Sequence, residues 1–223
     1  MAGVGHCHGG GAYRVCLCTT GGACVGDGYY GGMLDIVRQQ AAQRGLANVT
    51  VEYADADALP YADGRFHLVT CRIAAHHFGE VAPFLREVAR VLRPGGLLAL
   101  VDNVVPLGAA GDYVNAFEKL RDLSHGRCLS LAEWQQAIQV AGLVVTHAET
   151  LDKQMNFAPW AARHDAVMQR YLQAMLTEVR AEAAEFLRPS VAKDGITFYL
   201  REGILIGQKQ SKIYPSDRPT TLE

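Results

Sequence analysis

Residues 66–105 read FHLVTCRIAAHHFGEVAPFLREVARVLRPGGLLALVDNVV, and this stretch decides the fold class. Its first six residues predict a strand whose apolar centre is Leu68 and Val69. Residues 80–92 have apolar side chains at helical spacing and predict a helix, which ends at the sequence RPGG. Residues 97–105 are almost continuously apolar, as in a strand that is covered on both faces. A strand, a helix and a second strand in this order are typical of a parallel sheet with helices packed against it.

The same alternation continues on both sides of this stretch. Residues 33–44 predict a helix, and residues 49–53 predict a short strand. On the carboxyl side, two helices are predicted at 112–123 and 131–141, followed by a strand near residues 143–148. The sequence therefore predicts an α/β fold with a doubly wound, mostly parallel sheet.

The last third of the chain predicts a helical lid and a closing pair of strands. Residues 160–187 are strongly helical in composition, with one break expected, so the lid helices together span about residues 111–187. Residues 195–200 (GITFYL) and 203–207 (GILIG) predict a C-terminal antiparallel hairpin at the edge of the sheet. The segment after it, residues 211–223, is polar, contains two prolines and is predicted to be a flexible tail.

Composition and charge exclude several classes of partner. The chain has 223 residues and a formal net charge of −2, which suits one large domain. Its lysines and arginines are scattered singly, whereas binding to nucleic acid needs clustered positive charge. No apolar run approaches the roughly 20 residues that span a bilayer, and no basic segment followed by an apolar one indicates a secretory signal. We therefore expect a cytoplasmic protein that binds neither nucleic acid nor membranes.

Residues 1–32 differ in composition from the rest of the chain. They contain nearly half of the glycines and four of the six cysteines, and only residues 13–19 predict a strand. The segments HCH and CLC hold their histidines and cysteines too close together for an ordinary structural zinc site, so no metal site is predicted. Residues 1–32 are thus an atypical glycine- and cysteine-rich segment. One hypothesis is that a truncation or a frame shift replaced an original first strand and its loop.

Four joined segments carry a resemblance to a known family. They are ADADALPYADGRFHLVTCRIAAHHF at 54–78, FLREVARVLRPGGLLALVDNV at 84–104, RDLSHGRCLSLAEWQ at 121–135 and GITFYLREGILIG at 195–207. These segments resemble the class I S-adenosylmethionine-dependent methyltransferases related to the ubiquinone and menaquinone biosynthesis enzymes. The resemblance implies a Rossmann-like methyltransferase domain over residues 33–210. It also implies methyl transfer from S-adenosylmethionine to a small-molecule acceptor.

An acidic segment follows the strand predicted at 49–53, at the sheet edge where ligands bind in open α/β folds. The Asp55 carboxylate can accept a hydrogen bond from an exocyclic amine there, while the backbone N–H of Ala56 donates to a ring nitrogen. This pair of contacts reads one edge of adenine. The alternative is a solvated acidic loop in which Asp57 caps a turn.

The resemblance assigns further residues to S-adenosylmethionine. It implies that Asp55 and Ala56 read the adenine and that Met33 packs beside the ribose and the adenine. It also implies that Cys71 and Arg72, at the end of a strand, lie beside the methionine portion of the cofactor.

The glycine-rich turn of the family has only weak counterparts in this chain. Members carry a first strand followed by a G-x-G-x-G turn, whose glycines let the backbone approach the cofactor closely. The candidates here are Gly5 in GVGH and Gly9 in the run GGG, although neither follows an apolar strand. Asp27, which comes six residues before Met33, is the candidate for the acid that binds the ribose hydroxyls.

A histidine pair, His76 and His77, follows the strand that begins at Phe66. An imidazole is suited to act as a general base at neutral pH, so one of the two could accept a proton from a substrate hydroxyl or amine. The alternative is that one histidine makes a hydrogen bond at a helix start and the other is packed. The resemblance implies that the pair faces the substrate, which makes both the candidate catalytic residues.

Two other functions compete with methyl transfer. One is a relative that keeps the fold, has lost cofactor binding and serves as a binding or scaffold protein. The other is a nicotinamide-dependent oxidoreductase, which is disfavoured because no G-x-G-x-x-G segment lies between a strand and a helix. Methyl transfer from a sulfonium is an in-line displacement to which the protein contributes alignment and a dry pocket, so a general base is not required for every substrate.

Overall fold

The structure of the chain is a computed structural model, which describes residues 15–18, 22–26 and 31–211. Four sequence predictions lie outside the described residues, namely those for Gly5, Gly9, Asp27 and the tail from residue 212 onward.

The described residues form eight strands, seven α-helices and one 3-10 turn. The strands are β1 (Val15–Cys18), β2 (Gly22–Gly26), β3 (Thr50–Tyr53), β4 (Phe66–Arg72), β5 (Leu92–Val104), β6 (Leu143–Asn156), β7 (Ser190–Ala192) and β8 (Gly195–Lys209). The helices are α1 (Gly31–Gln43), α2 (Val81–Val91), α3 (Ala109–Arg121), α4 (Leu131–Val140), α5 (Phe157–Ala161), α6 (Ala166–Thr177) and α7 (Ala181–Leu187). The 3-10 turn is Ala75–His77, between β4 and α2.

All eight strands belong to one sheet, in the order β3-β2-β1-β4-β5-β8-β6, with β7 paired to β8. Strands β2 and β3 are parallel, as are β4 and β5, whereas β8 is antiparallel to β5, β6 and β7. Strand β1 is antiparallel to both of its neighbours, β2 and β4. Because two reversals restore the direction, β2, β3, β4 and β5 all run the same way. Their carboxyl ends therefore meet at one edge of the sheet, which we call the carboxyl edge.

The stretch 66–105 folds in the predicted order of strand, helix and strand, although β5 begins at Leu92 and includes the residues RPGG, which were predicted to precede it. Helix α2 buries its apolar stripe, including Phe84 and Leu85, against a sheet in which Leu98 and Leu100 are fully buried. Each such side chain stabilises the fold by about 1.5–3 kcal/mol through its removal from water. The first residues of β5 approach one another closely: a Cβ at Gly96 would lie 2.9 Å from the carbonyl oxygen of Arg93.

The predicted hairpin at 195–200 and 203–207 is wrong, because β8 is one continuous strand from Gly195 to Lys209. Arg201 and Glu202 lie between the two predicted strands, and both charges are matched across the sheet. Arg201 Nε donates to Asp152 at 2.8 Å, and Lys153 donates to Glu202 at 3.0 Å. The antiparallel C-terminal hairpin that does form joins β7 to the start of β8.

The lid also differs in detail from its prediction. The helical region predicted at 160–187 is broken twice, into α5, α6 and α7, and β6 extends to Asn156 rather than ending near residue 148. A second apolar core holds the lid together: the Trp160 ring stacks on Phe117 at 4.8 Å and meets the edge of Phe198 at 5.2 Å. Within the described residues, no helix has both the length and the apolar character needed to cross a membrane.

Candidate active site

The carboxyl edge of the sheet brings together most of the predicted site residues that the structure describes. Asp55 and Ala56 follow the end of β3, and Cys71 and Arg72 close β4. Asp102, which was not among the predicted site residues, lies near the end of β5 at the same edge. Strands β3 and β4 are three steps apart in the sheet, a separation of about 14 Å at about 4.8 Å per step. The predicted site residues are therefore spread over about 14 Å along this edge.

The segment after β3 forms a tight acidic turn. Asp55 is exposed, and its Oδ1 accepts the backbone N–H of Asp57 at 2.8 Å, while Ala56 is buried. The capping carboxylate is thus Asp55 rather than Asp57. Partial burial and the nearby charge of Asp55 raise the pKa of Asp57. Because no other described residue bonds the Asp55 carboxylate, its second oxygen has room for a ligand donor.

The chain makes a strained bend directly after β4. Cys71 is a buried thiol, and Arg72 is half-buried. Ile73 has φ +48, a left-handed conformation that a β-branched residue rarely adopts. Its N–H donates to the carbonyl oxygen of Val101 at 2.8 Å, which fixes the bend against β5. Such outliers cost about 1–3 kcal/mol and concentrate at functional sites.

A buried carboxylate on β5 holds His76 in one orientation. Asp102, 1% exposed, accepts the backbone N–H of His76 on Oδ2 at 2.9 Å and contacts the ring Nδ1 through Oδ1. Burial opposes protonation of His76, but the charge and the hydrogen bond of Asp102 outweigh it and raise the pKa of the imidazole. With Nδ1 engaged, Nε2 is the ring nitrogen that makes no bond to a described residue.

His77 is held by a different part of the chain. Its Nδ1 lies 3.1 Å from the carbonyl oxygen of Ser124 and 3.2 Å from the Ser124 hydroxyl. Burial and the charge of His76 lower the pKa of His77. The two histidine rings are 4.1 Å apart, so the sequence pair is a single cluster with two distinct environments.

Residues 122–128, which we call the strap, cover this histidine pair. The backbone N–H groups of Gly126 and Arg127 both donate to the carbonyl oxygen of His76, at 2.8 and 3.0 Å. The approach is so close that a Cβ at Gly126 would lie 2.8 Å from the carbonyl oxygen of Phe78. The strap is therefore held directly against the 3-10 turn that carries the histidine pair.

The strap adds a third imidazole, that of His125 in the segment LSHGRC, for which the sequence allows either a place in the substrate pocket or a structural role. His125 is 2% exposed, its ring lies 5.5 Å from that of His76, and its Nε2 is 3.0 Å from Asn115 Oδ1. Burial and the charges of His76 and His77 lower the pKa of His125 to about 4. The Asn115 side chain also bonds the Cys128 backbone in both directions, at 2.7 and 3.1 Å, which ties α3 to the strap.

Sequence reasoning also missed Glu118 on α3, which is buried at 6% exposure. A signal for it existed, because Glu118 comes four residues after Val114 and one after Phe117, on the apolar face of the helix. A carboxylate on a buried stripe is uncommon in a structural helix.

Met33 lies in the first turn of α1, as the sequence predicts a helix there, but this position does not test its assignment to the cofactor. Among the described residues no group of histidine, cysteine, aspartate and glutamate side chains could hold a metal ion.

A cavity of about 550 Å³ lies between α3 and α6, lined by Tyr113, Leu120, Met168, Tyr171, Ala174, Met175 and Glu178. It is on the face of α3 opposite to Glu118, so it is separate from the histidine cluster.

The chain is similar to a known protein family and to several known proteins. A family model described as a methyltransferase domain matches residues 4–100. The uncharacterized protein YafE of Escherichia coli is 39% identical over 156 residues, which are 66% of this chain and 75% of that protein. The 27-O-demethylrifamycin SV methyltransferase of Amycolatopsis mediterranei is 35% identical over 142 residues, 62% of this chain and 50% of the relative.

A solved structure extends the similarity to the whole fold. The crystal structure of YcgJ from Bacillus subtilis superposes with a TM-score of 0.78 at 30% identity, covering 85% of this chain and 83% of that one. In sequence, that uncharacterized methyltransferase is 32% identical over 192 residues, or 84% of this chain and 76% of the relative.

Proposed function

The chain belongs to the class I S-adenosylmethionine-dependent methyltransferases, and we propose that it transfers a methyl group from this cofactor to a hydroxyl group of a small-molecule acceptor. We propose a hydroxyl because of the buried His76–Asp102 pair. A hydroxyl is a weak nucleophile at neutral pH and gains from a positioned base, whereas an amine in its neutral form needs none.

The described residues at the carboxyl edge fit the cofactor in their chemistry. Asp55 offers a carboxylate oxygen to the exocyclic amine of adenine, and Ala56 offers a backbone N–H beside it. The end of β4, at Cys71 and Arg72, would hold the methionine portion. When bound, S-adenosylmethionine supplies a methyl group on a positively charged sulfur. The protein's own residues then have to position the acceptor and receive its proton.

His76 is suited to receive that proton. Its Nδ1 is engaged by Asp102, so a neutral imidazole carries its hydrogen on Nδ1 and its lone pair on Nε2. When the acceptor hydroxyl receives a methyl group in exchange for its proton, that proton would pass to Nε2 of His76. The resulting imidazolium is stabilised by the buried Asp102 carboxylate, which is a positioning residue because it acts through His76.

The environments of the two histidines favour His76 over His77 as the base. The pKa of His76 is raised and that of His77 is lowered, so at neutral pH His76 has the greater affinity for a proton. Moreover, His77 Nδ1 faces the Ser124 carbonyl, an arrangement that anchors the strap. We assign His77 to closing the site and His76 to proton transfer.

A name among the relatives supports an oxygen acceptor. The 27-O-demethylrifamycin SV methyltransferase is named for methylation of an oxygen atom, and the similar region covers 62% of this chain.

Two measurements test the proposal. Calorimetric titration with S-adenosylmethionine should give a dissociation constant in the micromolar range. An absence of binding at millimolar concentration would instead favour a protein that has lost its cofactor. Transfer of a labelled methyl group to a panel of hydroxylated compounds should then fall by about 10²–10⁴ in the His76→Gln variant. The matched control is His147→Gln, because His147 is half-exposed on β6, far from the carboxyl ends of β4 and β5.

A further inference from the structure

The carboxyl group of Glu118 is buried with an oxygen that has no partner. Glu118 is 6% exposed, and among the described residues its Oε1 accepts no hydrogen bond. It also forms no ion pair with a described residue. Buried polar groups in native proteins almost always have a partner, so an orphaned carboxyl oxygen needs an explanation.

Glu118 belongs to the proposed site by its position in the fold. On α3 it lies one turn from Asn115, so the two side chains are neighbours on the helix surface. Asn115 contacts His125, whose ring is 5.5 Å from that of His76. Burial and the charges of Asp102 and Glu118 together raise the pKa of the Cys128 thiol. Glu118 thus lies close to the histidine cluster.

Structural roles do not account for this carboxyl. Other shielded glutamates are matched: Glu133 caps α4 and accepts from Arg127 at 2.6 Å, and Glu202 accepts from Lys153 at 3.0 Å. Arg121, one turn after Glu118, directs its Nε to the Trp160 carbonyl instead. An apolar side chain would satisfy the position better if packing were its only task.

We propose that Glu118 is a specificity-determining residue that accepts a hydrogen bond from a second polar hydrogen of the methyl acceptor, a hydroxyl or amino group beside the hydroxyl that is methylated. This inference rests on the proposed function, since it names the acceptor class of the same site. Burial raises the pKa of Glu118, and the hydrogen bond forms in either protonation state, because an ionised carboxylate and the carbonyl oxygen of a neutral acid both accept.

The first test needs no turnover. If Oε1 has a hydrogen-bond partner only when the acceptor is bound, removing the carboxyl group should stabilise the unliganded protein. Glu118→Met should therefore raise the melting temperature by about 2–4 °C. Methionine is unbranched and suits the helix. The matched control, Glu133→Met, removes a carboxyl that has its partners and should lower the melting temperature. A lower melting temperature for Glu118→Met would make Glu118 a structural group and overturn the inference.

The second test measures recognition of the second polar hydrogen. Catechol, 2-methoxyphenol and phenol share one hydroxyl and differ beside it, with a donor, an acceptor and nothing, respectively. In the presence of S-adenosylhomocysteine, catechol should raise the wild-type melting temperature more than the other two compounds, and Glu118→Met should abolish the difference. Equal or absent shifts for all three compounds with the wild-type protein would overturn the inference. A failure of the proposed function would show separately, as a lack of S-adenosylmethionine binding or of methyl transfer.

Discussion

Replacing Asp102 with asparagine tests whether the charge of this carboxylate is needed for the proposed proton transfer. The amide keeps the shape of the carboxylate but not its charge, and its NH₂ group can donate to His76 Nδ1, where the carboxylate could only accept. Such a donor would favour the tautomer with hydrogen on Nε2, the nitrogen that must take the acceptor proton. We therefore expect methyl transfer to fall, together with some loss of stability, because the new NH₂ group would face the Asn103 backbone N–H that donates to Oδ1 at 2.7 Å in the wild type.

The structure sets the size of the effect. Asp102 accepts a buried hydrogen bond from the His76 backbone at 2.9 Å and contacts the ring, and a hydrogen bond to a charged group is worth about 1.5–3 kcal/mol. At about 1.4 kcal/mol for each factor of ten, one such bond corresponds to about 10–150-fold. Loss of the correct tautomer adds to this, so we expect kcat to fall about 10²–10³-fold, within the range typical of general-base catalysis.

The pH profile distinguishes proton transfer from a merely structural role. His76 must be neutral to act as a base, and Asp102 raises its pKa, so wild-type activity should be lost as pH falls through a value above the ordinary 6.5. Without the charge this acidic limb should move to lower pH. Asp112→Asn, on the exposed side of the first turn of α3, is the control. An Asp102→Asn variant with an unmoved limb and near-normal kcat would refute the assignment.

Three further predictions follow from the same geometry. Asp55→Ala should weaken S-adenosylmethionine binding by about 1–3 kcal/mol in calorimetry, because the adenine amine loses a charged acceptor. Gly126→Ala should lower the free energy of unfolding in urea by about 1–3 kcal/mol, because the new Cβ would lie 2.8 Å from the Phe78 carbonyl oxygen, whereas Gly79→Ala meets nothing within 4 Å. The lowered pKa of His125, about 4, means that its contribution to stability is complete above pH 6.5 and is lost as pH falls toward 4, so His125→Gln should flatten that part of the stability curve.

A specific result would contradict each of these predictions. An unchanged dissociation constant in Asp55→Ala, with Asp63→Ala as the exposed control, would remove Asp55 from the site. Equal unfolding free energies for Gly126→Ala and Gly79→Ala would mean that the strap tolerates a side chain. A slope between pH 6.5 and pH 4 that is as steep in His125→Gln as in the wild type would assign the acid sensitivity to other groups.

The central sheet was predictable because its signal is local. The stretch 66–105 alternates between buried strand and amphipathic helix, and β4, α2 and most of β5 fall where that pattern places them. The error at β8 has a non-local cause. Arg201 and Glu202 interrupt the apolar pattern of the sequence. Their charges are paired with those of Asp152 and Lys153, which lie some fifty positions earlier in the chain.

The site was predictable only in part, for a similar reason. His76 and His77 were candidates together, because the sequence shows that they are adjacent but not what each one touches. The difference between them comes from Asp102 on one side and the strap on the other, which are contacts between distant segments. Glu118 alone left a local sign, a carboxylate on an apolar helical stripe.

The direction of β1 decides which half of the cofactor site most needs a direct measurement. Val15 pairs with Cys71 and Cys18 with Leu68, so β1 runs away from the carboxyl edge and cannot deliver a glycine turn there from its carboxyl end. The ends of β3 and β4 nevertheless both lie at the carboxyl edge, where we propose that the adenine and the methionine portion bind. If the end of β4 holds the methionine portion, S-adenosylmethionine should bind at least about 10-fold tighter than adenosine, a difference of about 1.4 kcal/mol. Equal affinities for the two would show that this edge reads the adenine alone, and methyl transfer from such a site would lose its physical basis.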